Sequence, residues 1–254
     1  MLKLSIITVN LNNRNGLKRT LDSIFSQDYR DYESIVIDGG SADGSVDIIK
    51  VYADKITYWV SEADSGIYNA MNKGILQAKG EYCLFLNSGD WIIERKTLRR
   101  IFSNDFNEGL VAFKINKKNN GLIQKNKRPK LYDFYMASLP HHSTLIKKEL
   151  FYLIGLYNES FKIVSDWEFF MLAIIKYGIS YRYIDFVICD NELSGISKTL
   201  WDVHAQEREW CFINHFGEAI YDYEEMSKWK SSRFLTILYL IRGFLIYIKR
   251  LFQK

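Results

Sequence analysis

The sequence is poor in the features that mark several common protein classes. It has only three cysteines, Cys83, Cys189 and Cys211, an odd number set far apart with no CxxC or Cys/His spacing. A disulfide framework and a zinc site are both disfavoured, and a reducing compartment is the expectation. There are two prolines, Pro129 and Pro140, and no Gly/Ser-rich stretch divides the chain. No apolar run reaches the roughly 20 residues that a spanning helix needs. The best candidate, Phe234–Ile248, has 15 residues and is interrupted by Arg242. The N-terminus, MLKLSIITVN, turns polar at Asn10 without a cleavage site, so it reads as a first strand rather than a signal peptide. What is present is ordinary for a globular chain: 254 residues, 48% apolar and 25% charged. That excludes disorder as the main state and allows a substantial core.

The formal net charge of +4 hides an uneven distribution. From Leu110 to Lys130 there are seven cations (Lys114, Lys117, Lys118, Lys125, Lys127, Arg128, Lys130) and no acid, and from Met226 to Lys254 there are seven more, again with no acid. Without those 14 residues, 20 basic side chains face 30 acidic ones. An acidic body with two local basic segments disfavours nucleic acid as a partner and calls for some other explanation of the segments.

The first hundred residues alternate between short apolar runs and helical patterns. Leu4–Val9, Ser34–Ile37, Ile56–Val60 and Tyr82–Leu86 read as strands, and Leu17–Phe25, Val46–Tyr52 and Ile67–Ala78 as helices. The spacing predicts an α/β fold, a Rossmann-like, mostly parallel central sheet flanked by helices. Farther on, Leu110–Ile115 and Gly121–Gln124 read as strands and Trp167–Lys176 as a helix. The simplest organisation is one domain over residues 1–225 followed by a basic helical appendage, 226–254.

Ligands of such sheets sit at the carboxyl ends of the strands, which directs attention to Asn10, Asp38, Asp64 and the run Asn87–Asp90. Asp38, in VIDGGSADGS, is placed either to accept hydrogen bonds from a base or ribose or to cap a turn. Asp90, in FLNSGD, is placed either to hold a divalent cation on phosphate oxygens or to be a solvated turn residue. Asp166 has the two uses of general base and helix N-cap.

The segments SIITVNLNN, VIDGGSADGS, EADSGIYNAMNKGILQAKGEYCLFLNSGD and VSDWEFF follow one another in a fixed order. In this the chain resembles the family 2 glycosyltransferases, inverting enzymes with the GT-A fold, and more narrowly those that build bacterial surface polysaccharides (O-antigen, capsule or exopolysaccharide). The likeness covers about residues 3 to 200. It implies a nucleotide-diphosphate sugar as donor. It also implies that Thr8, Val9 and Asn10 line the nucleoside pocket, that Asp38 reads base or ribose, and that Asp64, Gly66, Asn72 and Ser88 lie on the donor side. By the same likeness, Asp90 holds Mg²⁺ or Mn²⁺ on the diphosphate and Asp166 is the general base, with Glu168 as runner-up. His141 and His142 fall on the acceptor or phosphate side.

The chain departs from the family pattern at four places. Asn87-Ser88-Gly89-Asp90 stands where Asp-x-Asp-Asp is common, Gly39 where a second Asp follows Asp38, Met71 where an Arg precedes Asn72, and Ser165 where a Glu precedes the base. The chemistry still has its parts. An acceptor hydroxyl is a poor nucleophile at neutral pH and needs a carboxylate to take its proton. The leaving diphosphate needs positive charge. Two other classes share parts of the pattern: a sugar-phosphate nucleotidyltransferase, for which NLNNRNG is a poor Gly-rich phosphate loop, and an inactive nucleotide-sugar-binding module.

The C-terminal segment places Ile237, Leu238, Leu240, Ile241, Phe244, Leu245, Ile248, Leu251 and Phe252 on one broad helical face, with Arg242, Lys249 and Arg250 on the other. That pattern fits an interfacial helix on an anionic membrane surface. It implies a cytoplasmic enzyme, peripheral on the inner face of the cell membrane, acting on a lipid-linked saccharide acceptor. Packing on the body or at a homodimer interface is the competing use of the same face.

Overall fold

The computed structural model describes residues 2–115, 123, 127–191, 200–218, 221, 222 and 225. Its centre is β1 (Leu4–Asn10), LSIITVN, in which every position is buried and Ser5 and Thr8 are the only polar residues before Asn10. β1 pairs in parallel with β2 (Tyr32–Asp38) on one side and β4 (Tyr82–Phe85) on the other, and β3 (Tyr58–Ser61) extends the sheet beyond β2. The helices α1 (Arg14–Phe25), α2 (Ser45–Val51) and α3 (Ile67–Gln77) connect these strands. The full order is β3-β2-β1-β4-β7-β6-β8, with β6 (Leu110–Lys114), β7 (Thr144–Lys147) and β8 (Tyr181–Val187). β7 alone runs antiparallel to its neighbours. The chain order reverses at β1, which has β2 on one side and β4 on the other. The carboxyl ends of β1 and β4 therefore flank the crevice where such sheets take ligands.

A two-stranded antiparallel ribbon, β5 (Asp90–Ile92) with β9 (Cys189–Asn191), lies outside the main sheet. The remaining helices are α4 (Thr97–Phe102), α5 (Leu131–Met136), α6 (Leu150–Leu153), α7 (Ser165–Met171) and α8 (Trp201–Phe216). The chain packs as two compact units, Met1–Glu207 and Arg208–Lys254. Nearly all described residues, and every site residue, belong to the first. The three cysteines are free.

The parallel α/β reading of the first hundred residues holds, with small shifts. The third strand starts at Tyr58 rather than Ile56, because the Ile56 N–H closes the turn after α2 by donating to the Tyr52 carbonyl. The helix expected over Trp167–Lys176 starts at Ser165, and from Leu172 its hydrogen bonds widen into a π-helical turn. Leu110–Lys114 is a strand as expected. Of the strand expected at Gly121–Gln124 only Ile123 is described, and it is in no strand; the helix expected from Met226 onward lies outside the described residues.

One glycine fixes how closely a helix approaches the sheet. A Cβ at Gly74, in α3, would stand 2.5 Å from Cγ2 of Ile7 in β1. That methyl is bonded directly to a β-branched carbon and cannot swing away. The missing side chain lets α3 lie against β1 and sets the height of the rest of the helix. We predict that Gly74→Val lowers the unfolding free energy by about 2 kcal/mol or more, read from urea denaturation. Unchanged stability would mean that α3 is not seated on Ile7.

Candidate active site

The loops after β1 and β2 are laced together by Asp38. Its carboxylate is fully buried. Oδ1 accepts from Asn10 Nδ2 (2.7 Å) and Ser41 Oγ (2.6 Å), and Oδ2 accepts from the Ser41 N–H (2.9 Å) and Ser61 Oγ (2.6 Å). Burial alone would raise its pKa. The hydrogen bonds from Ser41, Ser61 and Asn10 outweigh it and hold the carboxyl below its ordinary value. A carboxylate has about four acceptor positions, and all are taken here. The resemblance implies that Asp38 reads base or ribose; here its oxygens are engaged by Asn10, Ser41 and Ser61. The carboxylate ties together the ends of β1, β2 and β3, and Ser41 and Ser61 are the residues that sequence reasoning missed.

Thr8 and Val9 are not open contacts, because both are buried inside β1. Asn10, at the strand end, keeps Oδ1 buried without a protein partner. Beside it, Asp64 leans toward Gly39. A Cβ on Gly39 would meet Asp64 Oδ2 at 2.6 Å, so the glycine found in place of a second Asp is what admits this carboxylate. Asp64 Oδ1 accepts from the Gly66 N–H (3.0 Å). Gly66 has φ +141°, a backbone that side-chain-bearing residues rarely adopt, with open space where a Cβ would project. Asp64 and Gly66 thus form one turn, set against Gly39 at the end of β2.

The turn after β4 is clasped by α1. Thr20 Oγ1 donates to the Asp90 carbonyl (2.7 Å) and accepts from the Gly89 N–H (3.1 Å). Asn13 caps α1 by accepting from the Gly16 N–H (3.0 Å), while its Nδ2 donates to the Ser88 carbonyl (3.0 Å). The NLNNRNG segment is therefore a helix cap tied to the β4 turn and not a phosphate-wrapping loop. Asp90 is buried, and its Oδ2 accepts from the Asn87 N–H (3.0 Å). Asn87 Oδ1 is buried without a protein partner.

Among the described residues no three His, Cys, Asp or Glu side chains could hold a metal ion by themselves. Asp90 and the unpartnered Asn87 oxygen are nevertheless hard oxygen donors. They suit a divalent ion that takes its other ligands from a substrate diphosphate and water. The residues fit a metal shared with substrate.

Asp166, in the first turn of α7, does not cap the helix; the N-cap position is Val164. Its side chain is 15% exposed. Oδ2 lies 3.1 Å from His141 Nδ1, and Oδ1 accepts from the Tyr68 hydroxyl (2.9 Å). Burial opposes its ionisation, but the hydrogen bond and charge of His141, then Tyr68, outweigh it and lower the pKa. The same contacts act in reverse on His141. Burial would lower its pKa, and Asp166, with Asp90 behind it, raises it. His141 Nε2 lies 3.3 Å from Asn87 Nδ2. With Nδ1 protonated toward Asp166, Nε2 is free to accept from that amide. One imidazole therefore joins the β4 turn to Asp166.

Of the histidine pair, His141 is the one that reaches Asp166; His142 is buried and its carbonyl accepts from the Cys189 thiol (2.7 Å). Glu168 is buried in α7, and at i+2 it points about 200° around the helix from Asp166. Asn72, on the donor side by the resemblance, is bonded to the segment before α7. Its Nδ2 donates to the Tyr157 carbonyl and Glu159 Oε1 (both 2.8 Å), and its Oδ1 accepts from the Tyr157 N–H (3.0 Å). Rather than facing a nucleotide, it clamps the segment that leads to Asp166. Tyr68, Glu159 and Glu207, which accepts from the N–H groups of Lys162, Ile163 and Val164, went unseen in the sequence. For Tyr68 a signal existed: a tyrosine on the buried stripe of a helix needs a partner for its hydroxyl.

Comparison with known proteins gives the family and the fold. The Glycosyl transferase family 2 model matches residues 5–162. A PGL/p-HBAD biosynthesis glycosyltransferase of Mycobacterium bovis is 30% identical over 216 residues, covering 80% of this chain and 82% of the relative. Among solved structures, S. aureus TarS 1-349 superposes with TM-score 0.62 at 21% identity, over 79% of this chain and 63% of that one, so the chain spans less than two thirds of it. A mannosyltransferase of Pyrobaculum calidifontis, solved with GDP-Man and Mn²⁺, gives TM-score 0.64 at 19% identity, over 86% of this chain and 64% of that one. The family model sets aside the nucleotidyltransferase reading: the chain belongs to Glycosyl transferase family 2 and has the GT-A fold.

Proposed function

We propose that the protein moves a sugar, with inversion, from a nucleotide-diphosphate sugar to a hydroxyl of a lipid-linked saccharide in the assembly of a bacterial surface polysaccharide. The observation that carries this reading is Asp166: a half-buried carboxylate kept ionised by Tyr68 and His141, on a network that runs back to the turn bearing Asp90. The acceptor oxygen attacks the anomeric carbon while its proton passes to Asp166. The bond to the departing nucleotide diphosphate breaks on the opposite face. Each Asp166 oxygen makes one side-chain hydrogen bond, which leaves lone-pair capacity for that proton. Asp64 and Gly66 bound the donor mouth, and the Asp38–Ser41–Ser61 knot keeps the nucleoside end rigid. Mg²⁺ or Mn²⁺, where bound with the diphosphate at Asp90, supplies charge to the leaving group. Neighbouring structures solved with UDP, with UDP-GlcNAc and with GDP-Man and Mn²⁺ support a donor of this class.

Membrane docking rests on charge. No helix among the described residues is long and apolar enough to cross a bilayer, and the acid-free segment from Met226 to Lys254 carries seven cations. A lipid-linked acceptor then meets the enzyme at the inner membrane face.

We expect Asp166→Asn to reduce sugar transfer by about 100-fold or more with the circular dichroism spectrum unchanged, and Asp90→Ala to reduce transfer and weaken its response to Mn²⁺. Full transfer by either variant removes the corresponding role. In co-sedimentation with phosphatidylglycerol/phosphatidylcholine vesicles, the 254-residue chain should pellet more than a 1–225 truncation, with the difference fading at high salt. Equal pelleting rejects the membrane helix.

A further inference from the structure

Tyr68 is almost fully buried in the first turn of α3, immediately after the donor-mouth residues Asp64 and Gly66. Its ring sits 5.6 Å from that of Tyr157. Its single hydroxyl hydrogen faces two acceptors, Asp166 Oδ1 at 2.9 Å and the Ile163 carbonyl at 2.5 Å. A hydroxyl rotates to suit its partners and can also accept.

We propose that Tyr68 is a positioning residue for the transfer reaction, a two-state hydroxyl that satisfies Asp166 both before and after it takes the acceptor proton. While Asp166 is ionised, the Tyr68 O–H points at the charge, the stronger of the two bonds. Once Asp166 carries the proton, its own O–H becomes a donor to the tyrosine oxygen, and the Tyr68 hydrogen turns to the Ile163 carbonyl. No proton is gained or lost by the tyrosine. Without the hydroxyl, a half-buried carboxyl would lose a partner in both states, and leaving such a group unsatisfied is costly. The groups facing Asp166 are Tyr68 from α3, His141 from the turn before β7, and the more distant Tyr157 hydroxyl. Tyr68 also ties the base to the helix that begins at the donor mouth.

This inference rests on the reading of Asp166 as the base, and the test separates the two. Tyr68→Phe keeps the ring. Tyr82→Phe removes the hydroxyl of an equally buried ring outside the site, where it donates to the Glu108 carbonyl, and serves as the comparison. UDP-GlcNAc and GDP-mannose hydrolysis with Mn²⁺ provides the probe, water standing in for the acceptor. A second readout, carboxyl ¹³C titration of the full chain labelled on aspartate, needs no turnover; the Asp166 signal is identified by its loss in Asp166→Asn. Tyr68→Phe should lower the hydrolysis kcat about 10-fold or more, leave the donor KM within about twofold, and move both the acid limb and the Asp166 carboxyl titration to higher pH. The pH shift follows because the lost hydrogen bond favoured the ionised form. Tyr82→Phe should leave kcat and the limb in place, and the Tyr68→Phe/Asp166→Asn double variant should be no slower than Asp166→Asn. An unmoved Asp166 titration in Tyr68→Phe overturns the proposal whatever happens to kcat, because general loosening of the fold lowers a rate without moving one pKa. Wild-type hydrolysis by Asp166→Asn instead overturns the base itself.

Discussion

A carboxylate inside a protein must be paired or give up its charge, and the site is organised around that constraint at Asp166. Removing an ionised group from water costs several kcal/mol unless partners replace the lost hydration. Tyr68 and His141 are those partners, and each arrives from a different element: α3, seated on β1 through Gly74, and the short turn before β7. Once the two side chains are fixed, the position of α7, the order of the strands and the path of the segment before Asp166 all have to fit them.

That segment is held at several points. Asn72 and Asn69 on α3 bind Tyr157 and Glu159, and Glu207 gathers the N–H groups of Lys162, Ile163 and Val164. Stacked and edge-on rings of Phe85, Phe151, Tyr157 and Phe169 fill the space beneath. Polar clamps on a tight aromatic floor give Asp166 one position, which an in-line transfer needs more than it needs a strong base. The donor side uses the same principle with different residues: the knot at Asp38 and the grip of Thr20 and Asn13 on the β4 turn leave few groups free to move.

Sequence patterning was enough for the parallel half of the fold. Leu4–Val9 and Ser34–Ile37 could only be buried strands, and the polar residues at their ends had to meet at one edge. The ribbon of β5 with β9 and the antiparallel β7 were out of reach, since three or four residues carry no readable period. The resemblance singled out Asp166, and its spacing could not tell a base from a helix cap; the contacts of its two oxygens set the cap aside. Asp38 and Asn72 show what spacing leaves out. Both stand where a ligand contact was expected, yet their polar atoms are bonded within the protein. A residue type reveals what a side chain can bond, but its partners 28 or 85 positions away emerge only once the chain is folded.

The central claim is that Asp166 is ionised and paired with His141 inside the folded protein. With only four histidines in the chain, ¹⁵N-labelled histidine NMR on metal-free protein can follow each imidazole between about pH 5 and 9 around the ordinary value near 6.5. The account predicts that His141 titrates above that value and falls back toward or below it in Asp166→Asn, where burial acts without the opposing charge. A His141 that titrates at or below the ordinary value in the unaltered protein, or does not respond to Asp166→Asn, would contradict it.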